Sequence, residues 1–284
     1  MKSKISYTML LATFLLISNI TSVLSVDTAN ASHPIIESIP VDGNPQQLAF
    51  NEFNGNMYVT HTTSPGKVSI IDSSTNTVVG SVSMSYPYGI AFNPANGDMY
   101  VTLAGSINNT FFVYVIDSST NTVNATIPVG QIPIGIDFNQ FNGDMYVANA
   151  RSNTVSVIDS STNTVTATIP ISHPEPAGIA FNPANGDIYV ANRNFNSATG
   201  MVSVIDSSTN TVTDNISVGN LPEDGIAFNP ANGDMYVSNI RSNTVSVIDS
   251  STNTVTATIP VDQFPDDIAF NPTDGNMYVM DTIS

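Results

Sequence analysis

"SNTVSVIDSSTNTVTATIP" occupies residues 152–170 and recurs without a change at 242–260. A catalytic motif serves one site, so a stretch this long used twice is a building block. Its pattern has period two. Val155 and Val157 alternate with Thr154 and Ser156, and Val165, Ala167 and Ile169 alternate with Thr164, Thr166 and Thr168. β-Branched residues in strict alternation predict two strands. The intervening "DSSTN" predicts their turn, because the Asp159 carboxylate can accept hydrogen bonds from amides two or three residues on.

Working outward, the unit recurs along the chain. "AFN" or "DFN" places Phe50, Phe92, Phe138, Phe181, Phe228 and Phe270 at spacings of 42, 46, 43, 47 and 42. "IDSSTNTV" places Asp72, Asp117, Asp159, Asp206 and Asp249. "NPANGD" at 93–98, 182–187 and 229–234 supplies Pro at a turn's second position and Asn-Gly for positive φ. Each unit therefore reads as four strands, "GIAF", "DMYVAN", "TVSVID" and "TVTATIP", joined by tight turns. A four-stranded sheet of this size cannot bury both faces alone, so the fold class predicted is all-β, with sheets packed radially into a β-propeller. The repeated Asp residues are then turn residues, and Tyr58, Tyr100, Tyr146, Tyr189, Tyr236 and Tyr278 are packing residues at one equivalent position.

The quoted units resemble the YVTN repeat of extracellular β-propellers, a group that includes archaeal surface-layer proteins and YncE-like propellers. The resemblance rests on "FNPANGDMYV" (92–101, 228–237) followed by the "IDSSTNTV" segment, and covers nearly all of residues 35–281. The tetrad stands here as "YVTH", "YVTL", "YVAN" twice, "YVSN" and "YVMD". It implies a secreted or cell-surface propeller whose partners are other surface-layer proteins or glycans. Five units are complete, at about 48–85, 90–130, 136–172, 179–219 and 226–262. Residues 35–45 resemble only a last strand, and 265–281 supply only the first two. Pairing these ends gives a sixth, closing blade without its third strand. Either the ring has about six blades, one of them short, or the chain is an incomplete or truncated seven-bladed ring.

The N-terminus predicts export. Lys2 and Lys4 precede an apolar run, Met9–Ile17. That run is too short for a bilayer core, which needs about 20 residues. With the small-residue exits at Ser25 and Ala31 it reads as a signal peptide within residues 1–31, cleaved after one or the other. No later stretch could span a membrane. Beyond Ala31 the chain keeps 4 Lys/Arg against 22 Asp/Glu. Such a charge repels phosphate backbones and excludes nucleic-acid partners. The absence of Cys excludes disulfides, thiolate metal sites and Cys nucleophiles. The absence of Trp removes a common platform for sugars and quinones.

Departures from the repeat mark where a site would lie. The links before the first strands read "NPQQL", "YPYGI", "IPIGI", "EPAGI", "LPEDGI" and "FPDDI". In a propeller these point to the channel mouth. Glu223, Asp224, Asp266 and Asp267, with Gln46 and Gln47 beyond, offer hard oxygen ligands for a cation such as Ca²⁺. No other cofactor is implied. A scaffold without catalysis is the main expectation, and a divalent-cation-dependent lactonase- or lyase-like enzyme the alternative. His33, His61 and His173 lack ligand spacing and read as solvated loop or leader residues. Sequons at Asn108, Asn124 and Asn215 permit glycosylation after export, Asn108 best because "AGSINNTFF" reads as an irregular link.

Overall fold

The computed structural model describes residues 38–41 and 43–281. The proposed signal peptide with both its cleavage positions, His33 and residues 35–37 lie outside the described residues. The first sheet comprises β1 (Pro45–Asn51), β2 (Asn56–His61), β3 (Gly66–Asp72) and β4 (Thr77–Met84). The second comprises β5 (Pro87–Phe92), β6 (Met99–Ile107), β7 (Thr110–Asp117) and β8 (Thr122–Val129). The third holds β9 (Pro133–Asn139), β10 (Asp144–Asn149), β11 (Thr154–Asp159) and β12 (Thr164–Pro170). The fourth holds β13 (Pro176–Phe181), β14 (Asp187–Asn192), β15 (Gly200–Asp206) and β16 (Thr211–Val218). The fifth holds β17 (Pro222–Asn229), β18 (Asp234–Asn239), β19 (Thr244–Asp249) and β20 (Thr254–Pro260). A sixth sheet has two strands among the described residues, β21 (Pro265–Asn271) and β22 (Asn276–Asp281).

Every sheet is antiparallel, and its strands are ordered as in the chain. The first strands, β1, β5, β9, β13, β17 and β21, lie against one another in succession. The sheets thus radiate from a common axis, and the chain is a β-propeller of about six blades. First strands start at the link proline, two or three residues before the predicted "GIAF". The reason is a bulge: Pro87 pairs with Leu103, and regular register resumes at Ile90–Val101.

The core lies between blades. Ile127, Ile136, Met145, Val147 and Ile158 form one buried cluster spanning the second and third sheets. Each such side chain contributes roughly 1.5–3 kcal/mol when fully buried. The predicted turns form as read. Asp159 Oδ1 accepts the Ser161 amide at 2.8 Å, its hydroxyl at 2.6 Å and the Thr162 amide at 3.3 Å. Asp72, Asp117, Asp206 and Asp249 repeat this, and those hydrogen bonds hold all five carboxyls below the usual range.

The tyrosines do more than pack. Tyr58, Tyr100, Tyr146 and Tyr189 are buried, and each hydroxyl crosses to the next blade. They donate to Oδ1 of Asn121, Asn163, Asn210 and Asn253 at 3.0, 2.7, 2.9 and 2.7 Å. The acceptors are the turn asparagines, held at φ between 53 and 56°, a conformation Asn tolerates better than most residues.

Two expectations need correction. "AGSINNTFF" is not an irregular link: Ile107 pairs with Thr110 across a two-residue turn, with Asn108 and Asn109 at φ 52 and 63°. Two positive φ values are what a type I′ hairpin requires. His61 is not a solvated loop residue; it ends β2 and is only 1 % exposed, because the strand runs one residue further inward than its polar tail suggested.

Candidate functional site

Five of the six links enter their blades through a residue in the left-handed region: Tyr86, Ile132, Glu175, Leu221 and Phe264, at φ 51–60°. Its carbonyl then accepts the amide of the residue that follows the tetrad in the second strand. Tyr86 pairs so with Ala104, Ile132 with Ala150, Glu175 with Arg193 and Leu221 with Ile240, at 2.9–3.0 Å. That position is apolar in three of these blades and arginine in one. Arg193 is thereby fixed by its own backbone at the mouth of the channel.

From there its guanidinium joins three blades. One terminal nitrogen donates to Asp224 Oδ1 at 2.8 Å and approaches the Tyr88 hydroxyl at 3.4 Å. Nε forms an ion pair with Glu223 Oε1 at 2.9 Å without hydrogen-bond alignment. From the opposite side of the ring, the Tyr88 hydroxyl donates to Asp224 Oδ2 at 2.8 Å. Asp224 is nearly closed off from solvent, and Arg193 is largely so. Burial and the Asp224 charge push the Tyr88 hydroxyl far above its ordinary range. Arg193 is pushed up because the attraction of Asp224, the Tyr88 hydroxyl and Glu223 together outweighs its desolvation. Burial raises Glu223, against the pull of Arg193.

The four carboxylates singled out from the sequence do share this region, but they do not form a cation cage. Arg193 stands between Glu223 and Asp224. Among the described residues no group of three or more His, Cys, Asp or Glu is placed to hold a metal. Asp266 is pushed up to about 7, by burial first and then by the charges of Asp224, Glu223 and Asp267. Asp267 reaches about 6 through burial, although its Oδ1 accepts the Ile268 amide at 2.8 Å. Gln47 contributes backbone: its amide donates to Thr60 Oγ1 at 3.0 Å, and that hydroxyl donates on to the Tyr88 carbonyl at 2.6 Å. His173 is half-buried, with Nδ1 3.1 Å from Asn215 Oδ1. Asn215 also accepts from Ser203 Oγ at 2.8 Å. Asn124 is exposed on β8, and Asn108 stands at the hairpin tip.

One half-buried acid escaped the reading of the sequence. Asp137 replaces the alanine of "IAF", and its carboxylate takes the amides of Phe138 at 2.8 Å and of Phe181, in the next blade, at 2.7 Å. Burial pushes it up to about 6. The single "DFN" among "AFN" copies was the available signal. The glycine one step before the inner Ile in four of the six links, Gly89, Gly135, Gly178 and Gly225, explains why the walls stand so close there. A Cβ on Gly89 would lie 2.1 Å from the Ile134 carbonyl oxygen, and one on Gly135 2.2 Å from that of Ala177.

No protein-family model matches this chain, and no curated protein matches it in sequence. Solved structures match in shape. Hydrazine synthase of Kuenenia stuttgartiensis is similar over 84 % of this chain and 96 % of that one, with a TM-score of 0.61 and 16 % identity. A chain of the mitotic checkpoint complex is similar over 84 % of this chain and 72 % of its own, with a TM-score of 0.71 and 13 % identity. At such identities the likeness is one of fold alone.

Proposed function

We propose that the protein is an exported, cell-surface or surface-layer-associated propeller of the YVTN kind, acting as a structural and interaction scaffold without catalysis. One observation carries the reading. The charged groups at the channel mouth are spent on one another: Arg193 on Asp224 and Glu223, Tyr88 on Asp224. A metal-dependent lactonase or lyase needs carboxylates free to coordinate and a group free to move a proton. Here the central guanidinium fills the place a cation would take, and the tyrosine proton is held by a carboxylate. The acidic surface and the resemblance of the repeat favour partners among other surface-layer proteins or glycans.

The test is a melt of the full chain in EDTA and then in saturating Ca²⁺, Mg²⁺ or Zn²⁺ at fixed ionic strength, alongside assays on lactones and sugar acids. The expected result is one melting curve indifferent to metal, and no turnover. A ligand at a hundred times its dissociation constant would add about 2.7 kcal/mol. A shift of that size that is lost in Asp224→Asn, or steady turnover with any divalent ion, overturns the scaffold reading.

A further inference from the structure

Five of the turns between first and second strands carry Asn-Gly: Asn54–Gly55, Asn96–Gly97, Asn142–Gly143, Asn185–Gly186 and Asn232–Gly233. Asparagine is a labile residue, and most so before glycine, where no Cβ obstructs attack of the next backbone nitrogen on its Cγ. The turn restrains all five alike. Each asparagine Oδ1 accepts the amide two residues on, at 3.0–3.1 Å. Each Nδ2 donates to the tyrosine of its own blade at 3.0–3.2 Å. Each glycine amide donates to the carbonyl four residues back, at 2.8–2.9 Å.

Further protection is unequal. Asn54 and Asn185 give Nδ2 a second acceptor, the carbonyls of Ser118 and Ser250 in the next blade, both at 3.2 Å. Gly97 and Gly186 lie beneath phenyl rings from the blade before. A Cβ on Gly97 would stand 2.8 Å from Phe53, and one on Gly186 3.1 Å from Phe141. These rings are 65 % and 62 % exposed, and edge-to-face contact with Phe92 and Phe181 holds them over the glycines. Burial of their own surface does not account for them. For Gly143 and Gly233 the blade before supplies Ala95 and Ala184 in the place of the ring. Among the described residues, nothing lies within 4 Å of a Cβ at either glycine.

We propose that Asn142 and Asn232 are sites of deamidation by water, and that Phe53 and Phe141 shield Asn96 and Asn185 from the same reaction. The glycine nitrogen bonds to the asparagine Cγ and gives up its proton to the departing amide nitrogen, which leaves as ammonia. Water then opens the cyclic imide at one carbonyl or the other, leaving aspartate or isoaspartate.

The sixth blade displays the aspartate arrangement, because its turn reads Asp274–Gly275. Asp274 Oδ1 accepts the Asn276 amide at 3.0 Å, as the asparagines do. Its Oδ2, however, accepts the Tyr278 hydroxyl at 2.7 Å, where each asparagine donates to its tyrosine. Conversion therefore turns the tyrosine proton back into its own blade. At Asn142 it removes the bond from Tyr146 to Asn210 Oδ1, a tie between the third and fourth blades. The inference stands whether the ring is a scaffold or an enzyme.

The test is peptide mapping by mass spectrometry of the full chain, held folded at mildly alkaline pH, where the glycine nitrogen loses its proton more readily. Asn96, Asn142, Asn185 and Asn232 are all followed by Gly-Asp, so the chain unfolded in urea supplies the reference in which the four convert alike. In the folded chain Asn142 and Asn232 should convert several-fold faster than Asn96 and Asn185. Phe53→Ala should speed Asn96 several-fold and leave Asn185 unchanged, and Phe141→Ala should do the reverse. Alanine is the native residue at this position in three blades, as Ala95, Ala184 and Ala231, so both variants keep a turn the fold already uses. Equal rates at the four sites of the folded chain, or conversion at none of them, overturn the proposal. So does indifference of Asn96 and Asn185 to loss of the rings.

Discussion

Residues 152–170 and 242–260 are the same sequence in two surroundings. Both build a strand, an Asx-type turn and a second strand with the same register and the same bulge. Val155 and Val245, and Ile158 and Ile248, are all buried. They part at the outer strand, where Ile169 is covered and Ile259 is not. The first copy faces a complete four-stranded blade and the second, among the described residues, faces β21 and β22. Sequence thus determines the hairpin, but the next sheet determines how much apolar surface the hairpin buries. In a ring of this kind much of a blade's stability belongs to its neighbour.

The comparison can be broken or sharpened by substitution. The largest effect should come from the blade between the two copies, which holds Arg193. Arg193→Ala would leave Asp224 and Glu223 buried without their counterion and should cost about 3–5 kcal/mol in chemical denaturation. Next, Ile169→Ala should cost roughly 2–5 kcal/mol. Ile259→Ala, at a position 42 % exposed, should cost clearly less. An equal cost would mean that Ile259 is covered in solution as Ile169 is.

A third comparison uses pH. Asp266 and Asp267 near the end of the ring, and Asp137 in the blade of the first copy, have folded-state values near 7, 6 and 6, above their unfolded value. The folded state therefore holds protons that the unfolded state has released. This contribution is full below about pH 4 and is lost as pH rises through 6 to 7. Melting temperature should climb as pH falls from 8 to 5, and turn downward only as the turn carboxylates protonate. Asp266→Asn should flatten the upper part of that slope and stabilise at pH 8, on the order of 2 kcal/mol. The smallest effect belongs to the ties between blades. Tyr100→Phe should cost about 1 kcal/mol, and a double-mutant cycle with Asn163→Gly should be non-additive, because each substitution removes the same bond.

The periodic parts of this fold were legible because they are local. Alternation in "TVSVID" and the Asp of "DSSTN" act within a few residues, so their reading needs no neighbours. The tyrosine position could be seen in the sequence, but its hydroxyl's partner sits about 63 residues away in the next blade. The channel mouth was half legible. "PEDG" and "FPDD" flagged the acids, whereas Arg193 reaches Tyr88 across 105 residues and Asp224 across 31. Nothing local in "YVANRN" says that its arginine turns inward. His61 misled for a related reason: a polar residue closing a strand looks solvated until the segment that covers it is known.

The cross-channel cluster also bears on how the ring finds its order. Identical hairpins are interchangeable, so β11–β12 could seat in the place of β19–β20 with no local penalty, a characteristic failure of repeat chains. Tyr88, Arg193 and Asp224 come from the second, fourth and fifth blades, and among the described residues Tyr88 and Arg193 have no copies at the equivalent positions of the other blades. They meet only when those blades occupy their own places. A ring assembled with two blades exchanged would bury Asp224 without its partners, and the walls, being alike, would not detect the error. The centre of this molecule works as an address, read by electrostatics, for parts that the strands themselves cannot tell apart.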